Sequence, residues 1–266
     1  MPEETLLVTR TDAVLTLTIN RPHRKNALDD ATIQLLHDQL ADAGEDARVR
    51  AVVLTGAGGD FCSGADVGSP RRAGHPVDRM RWLAATAALL IDLPKPVIAQ
   101  VSGVAVGAGC NLAIAADFVV CTPDARFSQI FARRGLSPDF GGTWLLPRTM
   151  GLLQAKRLAL LAEIIDADEA LRIGLVTWVR PAEEIDRFVD DLASQLVAGP
   201  PVALAQTKAM LNQAATQSLQ AALDNEGRAA AVNLATDAMA ARQAYVDRVE
   251  PVFDGRWRLD TTVRRR

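Results

Sequence analysis

The sequence predicts an α/β protein with a mainly parallel sheet and a helical C-terminal part, and three observations predict it. Residues 51–55, 96–101 and 118–121 are largely apolar runs of strand length, the composition of strands buried on both faces. Glycine-bearing loops follow the first two runs and helical stretches separate the three, the order that β-α-β crossovers require. From Pro200 to about Val249 the chain is rich in Ala, Leu and Gln and carries no strand signal.

Taken in order, residues 5–9 and 14–20 alternate apolar and polar side chains and read as two strands around a turn at 10–13, each burying one face. Leu28, Ile33, Leu36 and Leu40 recur at helical spacing, so residues 29–44 form an amphipathic helix that Asp29 can cap at its start and Gly44 at its end. A helix over 77–90 is closed by the Pro94 and Pro96 segment, and a small-residue helix follows the glycines of 103–109 and runs through Ala116. After Ala125 the pattern becomes helical. Residues 71–76 are polar and contain Gly and Pro, the profile of a mobile loop, and Arg264 to Arg266 read as a solvated tail.

Composition narrows the partners. A chain of 266 residues with 49% hydrophobic side chains is long enough for one sizeable core and an appended subdomain. A formal net charge of -3 gives no basic field for nucleic acid or an anionic membrane, so an anionic ligand must be held by local features. The start Met1-Pro2-Glu3-Glu4 is neither basic nor apolar, and no stretch approaches a membrane span, so a cytoplasmic location is expected. Cys62, Cys110 and Cys121, like His23, His37 and His75, lack metal-ligand spacing, and no metal is expected.

Two segments carry chemistry. Leu54-Thr55-Gly56-Ala57-Gly58-Gly59-Asp60-Phe61-Cys62-Ser63-Gly64-Ala65-Asp66 resembles the first signature of the enoyl-CoA hydratase/isomerase (crotonase) family, and residues 95–117, with Gly103, Gly107 and Gly109, resemble the second. The likeness extends from residues 14–22 and Asn26-Ala27-Leu28 to the closing 251–255, although the Glu-Gly element of the family's C-terminal helix is replaced by Ala240-Ala241. The resemblance implies a crotonase-like β/α spiral core over 1–195 and a helical oligomerisation subdomain over 196–266, assembled as a trimer or a dimer of trimers. It also implies an acyl-CoA thioester substrate, no separate cofactor because coenzyme A is part of that substrate, and neither nucleic acid nor membrane as partner.

Site residues follow from the same motifs. Removing a proton next to a thioester puts negative charge on the carbonyl oxygen, which two fixed backbone N–H groups can stabilise by roughly 3 kcal/mol each. By motif position those oxyanion-hole donors are Ala65 and Ala108. Hydration in the family uses two glutamates on one water, and their positions match Asn111 and Phe131, neither of which exchanges a proton at neutral pH. The stretch Pro138-Asp139-Phe140-Gly141-Gly142, with Asn111, resembles the 1,2-epoxyphenylacetyl-CoA isomerase branch, whose corresponding Asp is the acid/base.

Carried over, Asp139 moves the proton, Asn111 bonds near the acyl group, and Phe131 and Phe140 form an apolar wall. Asp139 could instead cap the helix expected near Gly141. Arg24, Lys25 and Ala27 lie where family members meet the nucleotide end of coenzyme A. Asp66 stands beside the first donor, but it and Asp117 suit the satisfaction of backbone N–H groups better than catalysis. The related 4-chlorobenzoyl-CoA dehalogenases draw a histidine from the helix before the second signature, and residues 77–90 contain none. Double-bond isomerisation of an enoyl-CoA is the function expected. Hydration through Asp139, or silent acyl-CoA binding, stand as the alternatives.

Overall fold

A computed structural model describes residues 4–70 and 73–258. Six strands make the main sheet: β1 (Leu6–Thr11), β2 (Val14–Ile19), β3 (Ala51–Gly56), β4 (Val97–Val101), β6 (Phe118–Cys121) and β9 (Trp178–Val179). They lie in the order β1-β2-β3-β4-β6-β9, and every pair except β1 with β2 is parallel. A second sheet, β5 (Val104–Val106), β7 (Arg126–Ser128) and β8 (Ile164–Asp166), stands beside it.

The apolar runs bury both faces, as their composition predicts. Val52 and Leu54 of β3 join the large core that contains Leu36 and Leu40 of α1 (Asp30–Glu45) and Leu83 and Leu90 of α2 (Pro76–Ile91). Val53, between them, turns to the other side, where it meets Ile98, Val120 and the Ile185, Val189 and Ala193 stripe of α7 (Ile185–Ala198). β1 differs from expectation: only Leu6 is buried and Leu7 and Val8 are exposed, because β1 is the edge strand and buries little beyond its pairing with β2.

Asp29 caps α1, its carboxylate accepting from Thr32 N at 2.8 Å. The far end runs past Gly44, and Asp46 is the C-cap, so the predicted stop there is corrected by two residues. The stretch 71–76 is in part the start of α2, with His75 as N-cap and Pro76 in the first turn, while Arg71 and Arg72 lie outside the described residues, as do Arg264 to Arg266. The glycine-rich stretch 103–109 holds β5 before α3 (Ala108–Ile114) begins, and the region after Ala125 holds β7, β8 and β9. Strands of two or three residues are too short to display a period of two.

Helices α4 (Gly142–Met150), α5 (Leu152–Leu161) and α6 (Ala167–Arg172) complete the core, and α8 (Pro201–Gln213), α9 (Leu219–Leu234) and α10 (Ala238–Asp247) follow α7. Polar ties hold α8 to the core: Lys208 Nζ lies 2.8 Å from Asp117, and Asn212 Nδ2 donates to Ile91 O at 3.0 Å. Among the described residues no helix is long and apolar enough to cross a membrane.

Candidate active site

The loop after β3 is shaped by the buried side chain of Asn26. Its amide nitrogen donates to Ala57 O at 2.8 Å and to Asp60 O, and its Oδ1 accepts from Arg21 N at 2.8 Å. Leu28 then pairs with the loop like a short parallel strand, with Leu28 N on Gly64 O and Asp66 N on Leu28 O, both at 2.8 Å. Alternation along an extended segment turns the Ala65 N–H to the opposite side.

The second loop zips onto the first. Cys62 N donates to Val104 O, and Val106 N donates to Cys62 O, each at 2.9 Å. Small residues make this approach possible. A Cβ on Gly109 would lie 2.2 Å from Cys62 O, and one on Gly64 would lie 2.7 Å from Val106 O and 3.5 Å from Ala108 N. The peptides of Ala65 and Ala108 are therefore near neighbours. Ala108 N belongs to the first turn of α3, where no intrahelical acceptor exists, and neither amide has an acceptor among the described residues.

Asp139 lies in the loop that enters α4. Gly141, in the left-handed region at φ 81, is the N-cap, and no side chain caps the helix. The Asp139 carboxylate therefore does not serve as the cap. Its Oδ1 is buried without a hydrogen-bond partner, and burial raises its pKa to about 6 against the opposing pull of the Arg79 charge. Arg79 reaches in from α2 and donates from Nη2 to Asp30 Oδ1 at 2.6 Å.

The other expected residues divide into two groups. Phe131 and Phe140 are buried, and the Phe131 ring carbon Cζ is 3.6 Å from where a Gly107 Cβ would stand, next to Ala108. Asn111 is fully buried in α3, but both ends of its amide are taken by protein, Nδ2 by Asp139 O and Oδ1 by Gln129 Nε2, each at 2.8 Å. That differs from a side chain directed at an acyl group, and the reason is that Asn111 sits beneath the Asp139 loop. Arg24 and Lys25 stay at the exposed rim of the first loop, with Lys25 Nζ 3.7 Å from Asp60, and Ala27 is buried and accepts from Arg21 through its carbonyl.

Asp66 is engaged by Ser69 Oγ and Arg21 Nη2, each at 2.8 Å, and by Gly68 N, which hold its carboxyl down to about 2. It braces the loop. Asp117 accepts from Val97 N at 2.7 Å and from Lys208, also as a brace. Complete burial pushes the Cys62 thiol up to about 12, so it is a filler and not a nucleophile. Gln129 and Arg79 escape the sequence reading, since no motif or periodicity marks them, and Arg21, although inside the 14–22 stretch of family likeness, carries no role there.

A cavity of about 590 Å³ lies behind the Asp139 loop, between α8 and the core. Ile91 and Leu145, which line it, each approach Gly141 to 3.5 Å of its Cβ position, but Asp139, Ala65 and Ala108 do not line it. Apart from this space, the loops present two N–H groups with no acceptor among the described residues, an apolar wall, and one half-buried carboxylate whose pKa burial raises to about 6.

Residues 9–256 match the family model for enoyl-CoA hydratase/isomerase. A probable enoyl-CoA hydratase of Rhodobacter capsulatus is 38% identical over 92% of this chain and 96% of its own. The 1,2-epoxyphenylacetyl-CoA isomerase of Escherichia coli is also 38% identical, over 80% of this chain and 84% of its own. Among solved structures, an enoyl-CoA hydratase from Bacillus anthracis superposes with a TM-score of 0.89 at 30% identity, covering 95% of this chain and all of that one. The fold is the crotonase fold that the two signatures imply, and the chain belongs to the enoyl-CoA hydratase/isomerase family.

Proposed function

We propose that this enzyme isomerises an enoyl-CoA by moving a double bond along the acyl chain, with Asp139 as its single acid/base. The observation that carries the reading is the Asp139 carboxylate itself, half-buried, unpartnered at Oδ1 and with its pKa raised by burial to about 6. Such a group is ionised at neutral pH yet binds a proton well enough to give it back. Asp139 takes a proton from one carbon, the electron pair delocalises onto the thioester oxygen held by Ala65 N and Ala108 N, and the same proton returns two carbons away. Nothing is consumed.

Phe131 and Phe140 keep water from the dienolate in this reading, and the positions of the family's two glutamates, Asn111 and Phe131, hold no acid or base. Arg24 and Lys25, cationic and exposed beside the first loop, suit the phosphates of coenzyme A. The C-terminal helices, which expose Leu219, Leu223, Leu234, Tyr245 and Val246, suit packing between copies in a trimer or a dimer of trimers.

Hydration by Asp139 alone is the second reading, favoured by the hydratase names among the relatives. A panel of 3-enoyl-, 2-enoyl- and epoxyphenylacetyl-CoA thioesters, followed by absorbance and mass, separates them. Isomerisation with no change in product mass supports the proposal, and rapid conversion of crotonyl-CoA to 3-hydroxybutyryl-CoA, which gains one water, overturns it. Thioester binding without deuterium uptake at the acyl chain would mark a silent binder.

A further inference from the structure

We propose that Asn111 and Gln129 form a buried positioning pair that aims Asp139 by gripping its peptide, without touching the substrate. The inference rests on Asp139 being the acid/base.

Hydrogen-bond chemistry determines the direction of the chain. The Asp139 carbonyl can only accept, so Asn111 must turn its NH2 toward it, and the 2.8 Å contact is that bond. The Asn111 oxygen then faces Gln129, which must present its own NH2, again at 2.8 Å. Both side chains are wholly buried, so neither bond competes with water. An acceptor at 111 would repel the Asp139 carbonyl. A glutamate there would break the grip while supplying a carboxylate.

The gripped loop needs holding. Phe140 at φ 50 and Gly141 at φ 81 are consecutive left-handed residues, and for a bulky side chain such as Phe that region is unfavourable. Asp139 O accepts from Gly142 N at 2.9 Å as well as from Asn111, so two bonds lock the turn that presents the carboxylate. Space has been cleared for the amide: a Cβ on Gly142 would lie 2.4 Å from Asn111 Nδ2.

The same pair ties the base to the donors. Asn111 lies three residues after Ala108 in α3, on the same helical face. Gln129 directly follows Ser128, whose carbonyl accepts from Gly107 N at 2.8 Å. One helix and one strand end therefore set both the peptide that would hold the enolate and the peptide that carries the base.

The test uses deuterium uptake from D2O into the acyl chain of hexanoyl-CoA, which reads proton transfer whether the enzyme isomerises or hydrates. Asn111→Leu and Gln129→Leu should each slow uptake at saturation by roughly 10- to 100-fold, the effect of a misplaced base, with KM changed little. The double variant should be no slower than Asn111→Leu, since Gln129 acts through Asn111. In an Asp139→Asn background, Asn111→Leu should produce no further loss. If Asn111→Leu does not fold, Gln129→Leu and its combination with Asp139→Asn carry the same comparison. A tenfold rise in KM with the rate retained, or an undiminished loss in the Asp139→Asn background, overturns the positioning role. Failure of the Asp139 reading looks different, because Asp139→Asn alone would then keep its rate.

Discussion

The Asn111 amide donates to the backbone carbonyl of Asp139 at 2.8 Å, and the carboxylate of the same Asp139 keeps an oxygen with no partner at all. One residue is thus gripped at its peptide while one oxygen of its side chain is left without a partner. A residue serving only as a brace would show the reverse, as Asp66 does, with its carboxylate engaged by Ser69, Arg21 and Gly68.

A half-buried carboxylate with one unpartnered oxygen lowers stability in a definite pH window. The folded pKa of Asp139 is raised to about 6, so the folded state binds this proton more tightly than the unfolded chain does. The penalty is absent below the ordinary carboxylate pKa of about 4, grows as pH rises to about 6, and is complete above it. Asp139→Asn should therefore stabilise the protein at pH 7.5, by at most about 3 kcal/mol, and give little gain at pH 4. Paired thermal melts at the two pH values check this, and a destabilised variant at pH 7.5 would contradict it.

Arg79 opposes the burial effect on Asp139. Replacing it with Gln should move the acid limb of the pH-rate profile upward, so that activity falls more at pH 6 than at pH 8. An acid limb that stays in place would mean that Arg79 serves only its ion pair with Asp30.

Much of this architecture was legible in the sequence, for identifiable reasons. Asp29 ahead of a helical apolar stripe marks a cap, and Val52, Val53 and Leu54 in a row mark a strand covered on both sides. The loops at Ala65 and Ala108 were found through their motifs, not their periodicity. Short strands such as β8 and β9 were not legible, because pairing across the sheet creates them and two or three residues carry no pattern. Gln129 and Arg79 were missed because their partners, Asn111 and Asp30, lie 18 and 49 positions away. Spacing alone leaves Asp139 divided between cap and base, the motif chooses the base, and the structure agrees that its side chain is not the cap, since no side chain caps α4.

The close contact of the two loops should be intolerant of a single methyl group. Gly109→Ala places a Cβ 2.2 Å from a backbone oxygen, that of Cys62, which cannot swing aside as a flexible side chain would. A loss of about 3 kcal/mol or more is expected, together with loss of proton exchange. Denaturant unfolding measures the first, and a variant of unchanged stability would contradict the zipped-loop geometry.

Lys208 and Asp117 tie α8 to the core at 2.8 Å, with burial raising the Asp117 pKa and Lys208 opposing it. Lys208→Met leaves that carboxylate without its cation and, because Asp117 is exposed to solvent, should destabilise by only about 1 kcal/mol. Adding Asp117→Asn should recover part of the loss, since the amide needs no countercharge. Unfolding midpoints of the two variants decide the matter, and no recovery would indicate that Lys208 acts mainly through its bond to Lys95 O.

The central claim is that Asp139 carries the proton, and Asp139→Asn addresses it most directly because the amide preserves shape while removing the base. On a 3-enoyl-CoA that the parent enzyme turns over, the variant should lose roughly two to four orders of magnitude in kcat while binding the thioester with nearly unchanged affinity. Near-normal isomerisation by Asp139→Asn would contradict the account and require a different group as the base.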